Sequence, residues 1–209
     1  AKNGQRYLFY TVSESINRNL PVELALLPFI ESQFDPYAQS STGASGIWQF
    51  ILSTAREQKL KKNWWYDGRR DIVASTGAAY DYLTKLYSKY DDWLLAIAAY
   101  NAGPNRISKE IKKNLAKGLP TDFWSLNLPK ETKAYVPKLL ALVEVIKNPS
   151  KFSVDIPFLP NRPYFQLVTL PSQVDLMQVA NISGLKLEVI YELNPGFNQW
   201  ATDPNGPFH

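Results

Sequence analysis

Glu31 closes an apolar run, Leu24-Ala25-Leu26-Leu27-Pro28-Phe29-Ile30. A carboxyl held against apolar surface keeps its proton to higher pH, because burial disfavours the charged form. Such a group donates a proton near neutral pH, which an exposed Glu with a pKa of roughly 4.3 does poorly. Cleavage of a glycosidic bond needs an acid of this kind, since the leaving oxygen must be protonated. The same pattern also fits a Glu at a solvated helix end, the commoner fate of the residue. Two further stretches carry chemistry. In "SSTGASGIWQF", Gly43 and Gly46 allow close backbone approach to a ligand, Trp48 offers a ring for a sugar to stack on, and Gln49 can donate and accept hydrogen bonds. A buried turn would read the same. In "AAYNAG", Tyr100 carries a phenol that seeks a partner when buried, and Asn101 sits where an ordinary helix C-cap would.

Other chemistries are poorly supplied. With no cysteine there is no thiol nucleophile, disulfide or cysteine metal site. The only histidine is His209, so neither a Ser-His-Asp triad nor a His-ligated metal is expected. Neither a metal nor an organic cofactor is expected. The net charge of +4 suits an anionic partner without choosing one, and no nucleic-acid-binding motif accompanies it. Aromatic residues at 13%, six of them Trp, suit stacking on sugar rings.

The elements that must hold these residues read as mainly helical. Residues 5–19 carry Leu8, Val12, Ile16 and Leu20 at spacing four. Pro21 marks a helix start, and Asp35-Pro36 a break. Residues 37–46 have loop composition. Another helix is expected near Ser53-Thr54, with Thr54 and Glu57 at capping-box spacing. Asp71 reads as the N-cap of a helix to about Tyr90, and Asp91-Asp92 as the start of the apolar helix ending near Gly103. A basic stretch follows at 105–117, read as a solvated face. Pro129–Ile146 is the last long helix, with Tyr135 and Leu139 periodic. After Lys147 comes a proline-punctuated linker, then "YFQLVTL" as a strand and two short helices. No apolar stretch reaches 18 residues, and the first residues, Ala1-Lys2-Asn3-Gly4, lack a signal h-region.

Together Glu31-Ser32, Gly46-Ile47-Trp48-Gln49 and Ala99-Tyr100-Asn101-Ala102-Gly103 resemble the three signature motifs of lytic transglycosylase family 1, the lysozyme-like soluble lytic transglycosylase domain. "ETKAYVPKLLAL" resembles a fourth, with Tyr135 in its tyrosine position. The Trp of "GIWQF", the run Trp65-Tyr66-Asp67-Gly68-Arg69-Arg70-Asp71, and "TDFWSLNLPKET" are similar to the membrane-bound D subgroup. The resemblance covers roughly residues 5–150. It implies a lysozyme-like α-helical catalytic domain that cuts the β-1,4 bond between MurNAc and GlcNAc in peptidoglycan without water, leaving 1,6-anhydroMurNAc ends. It implies Glu31 as the single acid and then base, with Tyr100 orienting it. Ser40, Gln49, Trp48, Asn101 and Tyr135 would contact or line the substrate, and Ser32 would be structural.

The C-terminal stretch resembles a degenerate LysM module. Leu170-Pro171-Ser172-Gln173 replaces its usual Gly-Asp-Thr turn, and a closing strand is missing before His209. The expected organisation is a catalytic domain at 1–150, a linker at 151–163 and a small α+β module at 164–209, the last packing or spacing rather than binding glycan. Expected partners are peptidoglycan glycan strands, with no nucleic acid, and a monomer is the expected state. Membrane association is expected only through a precursor lipid anchor absent from this chain, in the bacterial periplasm at the outer membrane. Two rival readings stand beside this one. A hydrolytic muramidase would use Asp35 or Asp67 as its second carboxylate. A glycan-binding protein would have a cleft that does not cut. Trp64, Trp65, Tyr66 and Trp93 could extend a sugar groove or simply be core.

Overall fold

A computed structural model describes residues 4–209. The reading of the first residues as lacking a signal h-region falls mostly on 1–3, outside the described residues. The chain is mainly α-helical, and among the described residues β pairing is limited to isolated bridges. It divides into two compact units, the residues up to Ala78 with Leu159–His209, and Ala79–Phe158.

In the first unit, α1 spans Gly4–Asn17. Its buried face is Gly4, Tyr7, Thr11 and Ser15, not the Leu8-Val12-Ile16 stripe; Ile16 is 60% exposed. Small and self-bonded side chains explain the difference. The hydroxyls of Thr11 and Ser15 donate to the carbonyls of Leu8 and Val12, at 3.0 and 2.7 Å. With their polar atoms satisfied inside the helix, they let the 3₁₀ turn Val22–Leu26 approach closely. That turn feeds α2, Leu27–Ser32, which has Pro28 in its first turn. Helix α3, Leu52–Glu57, starts before Thr54, with Ile51 at its N-cap and no side-chain cap. The expected capping box is therefore not formed. Asp71 caps α4, Ile72–Tyr90, by accepting from the Ala74 N–H at 2.8 Å.

The C-terminal residues belong to this first unit. Helices α8, Leu176–Ser183, and α9, Leu187–Leu193, form as expected. "YFQLVTL" forms no strand, because a strand needs a ladder, and among the described residues only Leu170 of this run makes a long-range backbone hydrogen bond. Residues 200–208 return alongside 170–176: Leu170 N–H donates to Phe208 O, Thr202 N–H to Val174 O and Leu176 N–H to Trp200 O, at 2.7–3.0 Å. This return replaces the closing strand expected to be missing. The two helices cover Tyr66 with Leu176, Ala180, Ile190 and Phe197. Trp64, Trp65 and Trp200 meet edge to face, with Trp64 and Trp200 exposed.

His209 Nε2 lies 2.8 Å from the Asp71 carboxylate. That hydrogen bond and the negative charge raise the imidazole above its ordinary value, against burial that lowers it. A raised histidine stabilises fully below about pH 6.5 and loses the contribution as pH rises through its folded value. His209→Ala is therefore expected to lower the melting midpoint more at about pH 5.5 than at about pH 9. The difference should be about 2–4 °C if the contact contributes ~1 kcal/mol, and calorimetry at the two pH values checks it.

In the second unit, α5, Trp93–Ala102, buries Leu95 through Ala99 completely or nearly so. Asp92 caps it, accepting from the Leu94 and Leu95 N–H groups at 2.6 and 3.1 Å. Gly103, at φ 85°, ends it, and Pro104 starts α6, Pro104–Leu115. Helices α6 and α7, Lys130–Lys147, both pack on α5. Trp93 stacks on Tyr87 with ring centroids 4.3 Å apart.

Candidate active site

Glu31 stands in the last turn of α2, half-buried. The chain leaves that turn through two consecutive left-handed residues, Gln33 at φ 54° and Phe34 at φ 61°. Neither is glycine, so each position carries strain of roughly 1–2 kcal/mol. Packing holds the second: Phe34 is fully buried, its ring edge-on to Phe29 at 4.9 Å. Ser32 ties the helix to the next segment, its hydroxyl lying 3.0 Å from Ile47 O and 3.3 Å from Pro28 O. The acid and the "GIWQ" loop are thus joined by a side chain adjacent to Glu31.

The loop folds back on itself. Ser45 and Phe50 exchange both backbone hydrogen bonds, and Gly46 N–H donates to Ala38 O. Gly46 cannot be another residue: at φ 84°, a Cβ would lie 1.8 Å from the Arg69 carbonyl oxygen. Gln49 has φ 50°, and its amide nitrogen donates to Ala38 O and Gly46 O at 3.1 and 2.8 Å. Both amide hydrogens are used on its own loop, so what Gln49 offers a ligand is its carbonyl oxygen. Ser40 is half-buried; its hydroxyl accepts from Ala44 N–H at 3.0 Å and bonds Thr42.

Trp48 is not the sugar platform that its place in the loop suggests. It is fully buried, and its indole N–H donates to Thr76 Oγ1 at 3.0 Å. No face of it is left for a sugar to stack on, because residue 47–48 side chains turn inward into the core beneath the loop. Tyr66, 2% exposed, is likewise core.

The sequence assigns Arg69 no role, and Asp67 only that of the second carboxylate of a hydrolytic muramidase. Both are buried. The Arg69 guanidinium meets Asp67 with two bonds, 2.9 and 2.7 Å, and donates to Gly43 O and Phe50 O at 2.8 and 3.3 Å. Burial pushes the Asp67 carboxyl up, but the hydrogen bonds and charge of Arg69 outweigh it and hold the group below the usual carboxylate range. Asp35 has a local task as well, accepting from Tyr37 N–H at 2.9 Å.

In the second unit, Tyr100 and Asn101 lie in the last turn of α5, both half-buried. Asn101 is not the cap, since Gly103 takes that place. Its side-chain oxygen accepts from the Thr132 hydroxyl at 2.9 Å, which binds α5 to α7. Tyr100 lies 5.8 Å from Tyr82, ring to ring. Tyr135, on α7, is 4% exposed, so its ring is part of the packing rather than open groove wall.

Two family profiles match the chain, and neither follows the boundary between the compact units. The family profile described as the transglycosylase SLT domain matches residues 11–121, more than half of the 209-residue chain. The profile described as the lytic transglycosylase MltD, LysM-like domain matches residues 164–209. The chain is 44% identical over 205 residues to the membrane-bound lytic murein transglycosylase D of Escherichia coli strain K12, covering 98% of this chain and 45% of that protein. It is 33% identical over 110 residues to the membrane-bound lytic murein transglycosylase F of Desulfosudis oleivorans, 48% of this chain and 22% of the other. An X-ray structure of an inactive Glu-to-Gln mutant of the lytic transglycosylase Slt from Pseudomonas aeruginosa superposes with a TM-score of 0.50 at 28% identity, over 69% of this chain and 24% of that one. The chain thus spans less than half the length of these relatives.

Proposed function

We propose, from the premise that this chain belongs to the transglycosylase SLT-domain family, that it cleaves the MurNAc–GlcNAc bond of peptidoglycan without water. Glu31 protonates the glycosidic oxygen and then accepts the proton of the MurNAc C6 hydroxyl. That hydroxyl attacks the anomeric carbon, and a 1,6-anhydro end results. An internal nucleophile held beside the reacting carbon has a high effective concentration, so no activated water is needed. Tyr100 orients the acid, and Ser40, Gln49 and Asn101 serve the substrate side, the first two through the loop and the last through α5, with Tyr135 packed beneath from α7.

The observation that carries this reading is the link from Ser32, beside Glu31, to Ile47 in the loop of Gln49. It makes the first two motifs one local structure. The hydrolytic alternative needs a second carboxylate facing the sugar. Asp67 is poorly suited, since its oxygens are engaged by buried Arg69. Asp35 is the acid that alternative retains. The chain acts at the bacterial cell wall, in the periplasm as a monomer. Among the described residues no helix is long and apolar enough to cross a membrane.

Digestion of purified peptidoglycan, with the products weighed, tests the reading. Products lighter by one water than reducing-end muropeptides are expected. Reducing ends would make the enzyme a muramidase, and no release would leave a binding protein.

A further inference from the structure

Residues 61–71 have partners on two sides. On one side Arg69 holds the loop of Gln49, through Gly43 O and Phe50 O and through the carbonyl that fits against Gly46. On the other side lies the C-terminal module. Asp67 N–H donates to Gly196 O at 2.8 Å, and Asn198 N–H to Trp65 O at 2.7 Å. The rings of Tyr66 and Phe197 are 5.4 Å apart. Lys61 pairs with buried Asp203 at 2.8 Å. Gly196 backs so closely on Tyr66 that a Cβ would lie 2.7 Å from its ring. One residue belongs to both sides: Asp67 bonds the module through its backbone and Arg69 through its carboxylate.

We propose that the C-terminal module braces the site loop. Seating of Gly196–Asn198 on residues 65–67 fixes Asp67, and Asp67 fixes the Arg69 fork that sets the Gln49 turn. A guanidinium is planar and rigid, and this one has bonds to four acceptor atoms. Movement of Asp67 therefore moves the two loop carbonyls with it. Arg69 is a positioning residue here and acts through the loop. The module then governs turnover. The inference rests on the reading of the Gln49 loop as part of the catalytic site.

The test uses the whole chain, with Gly196→Val to wedge the module from Tyr66, Phe197→Ala to remove volume without adding any, and Arg69→Lys to keep the charge but not the fork. Amide hydrogen exchange is followed at Ser45, Gly46 and Phe50, with Leu95–Ala99 of α5 as reference. Kinetics are run on a soluble GlcNAc–MurNAc tetrasaccharide and on intact sacculi. Expected are loop amides exchanging about tenfold faster with α5 unchanged, and kcat on the tetrasaccharide down about tenfold with KM within about twofold, since small misplacements of a site group weigh on rate. If Gly196→Val does not fold, Phe197→Ala carries the same comparison. Unchanged loop exchange would overturn the brace. So would a loosened loop with normal kcat, or a loss confined to KM on sacculi. If the wild type releases no anhydro product, the proposed chemistry fails, and loop exchange alone upholds or overturns the brace.

Discussion

Glu31→Gln is expected to reduce release of anhydro-muropeptides by about 10²–10⁴-fold, the contribution general acid–base catalysis makes. The amide is close in shape but can neither give nor take the proton. The fold should persist, because the half-buried position tolerates a neutral side chain of the same size. The measurement is product release by mass spectrometry beside a melting curve. A variant with near-normal turnover would remove Glu31 from the mechanism and leave Asp35 as the acid to examine. A variant that loses both activity and its melting transition would report on folding only, and Glu31→Asp, which keeps the acid but shortens its reach, would then decide.

Asp67→Ala is expected to have the largest effect on stability, about 3–5 kcal/mol, because it leaves the Arg69 guanidinium buried and unpaired. In a chain of this length that lowers the melting midpoint by roughly 6–20 °C. Asp67→Ala with Arg69→Met should lose less than the sum of the two single variants, since the stranded charge is gone. The effect also has a sign in pH. A carboxyl held below its ordinary value stabilises above about pH 4 and loses that contribution as pH falls through its folded value. The gap between wild type and Asp67→Ala should therefore close in acid, which denaturant melts at several pH values would show. A gap independent of pH would mean that the packing around the side chain sets the cost instead of its charge.

Much of the architecture was legible in local signals. Asp92 and Asp71 announce helix starts because a short carboxylate can reach the first free N–H groups from the preceding residue. The unbroken apolar run after Trp93 announces burial on all sides, and α5 is buried accordingly. The family could be read from motifs in order, and the SLT profile agrees. The failures have a common origin. The Leu8-Val12-Ile16 stripe looked like a core face, but polar residues that bond their own helix can be buried as readily, and Thr11 and Ser15 are. Thr54-Glu57 looked like a cap, but the helix begins earlier, at a residue with no capping side chain.

By itself the sequence determined most of the helices, the helix ends set by Asp71, Asp92 and Gly103, and the motif order that marks the family. These depend on neighbours a few residues away, whose geometry the chain dictates. Only the tertiary structure decided that Trp48 faces inward to Thr76, that Gln49 spends both amide hydrogens on its own loop, and that Asp67 joins Arg69 to the C-terminal module. Those outcomes depend on which polar group lies within about 3 Å once distant segments pack. An indole, an amide or a carboxylate has the same chemistry in either place. Burial and the available partner decide whether it meets substrate or holds the fold.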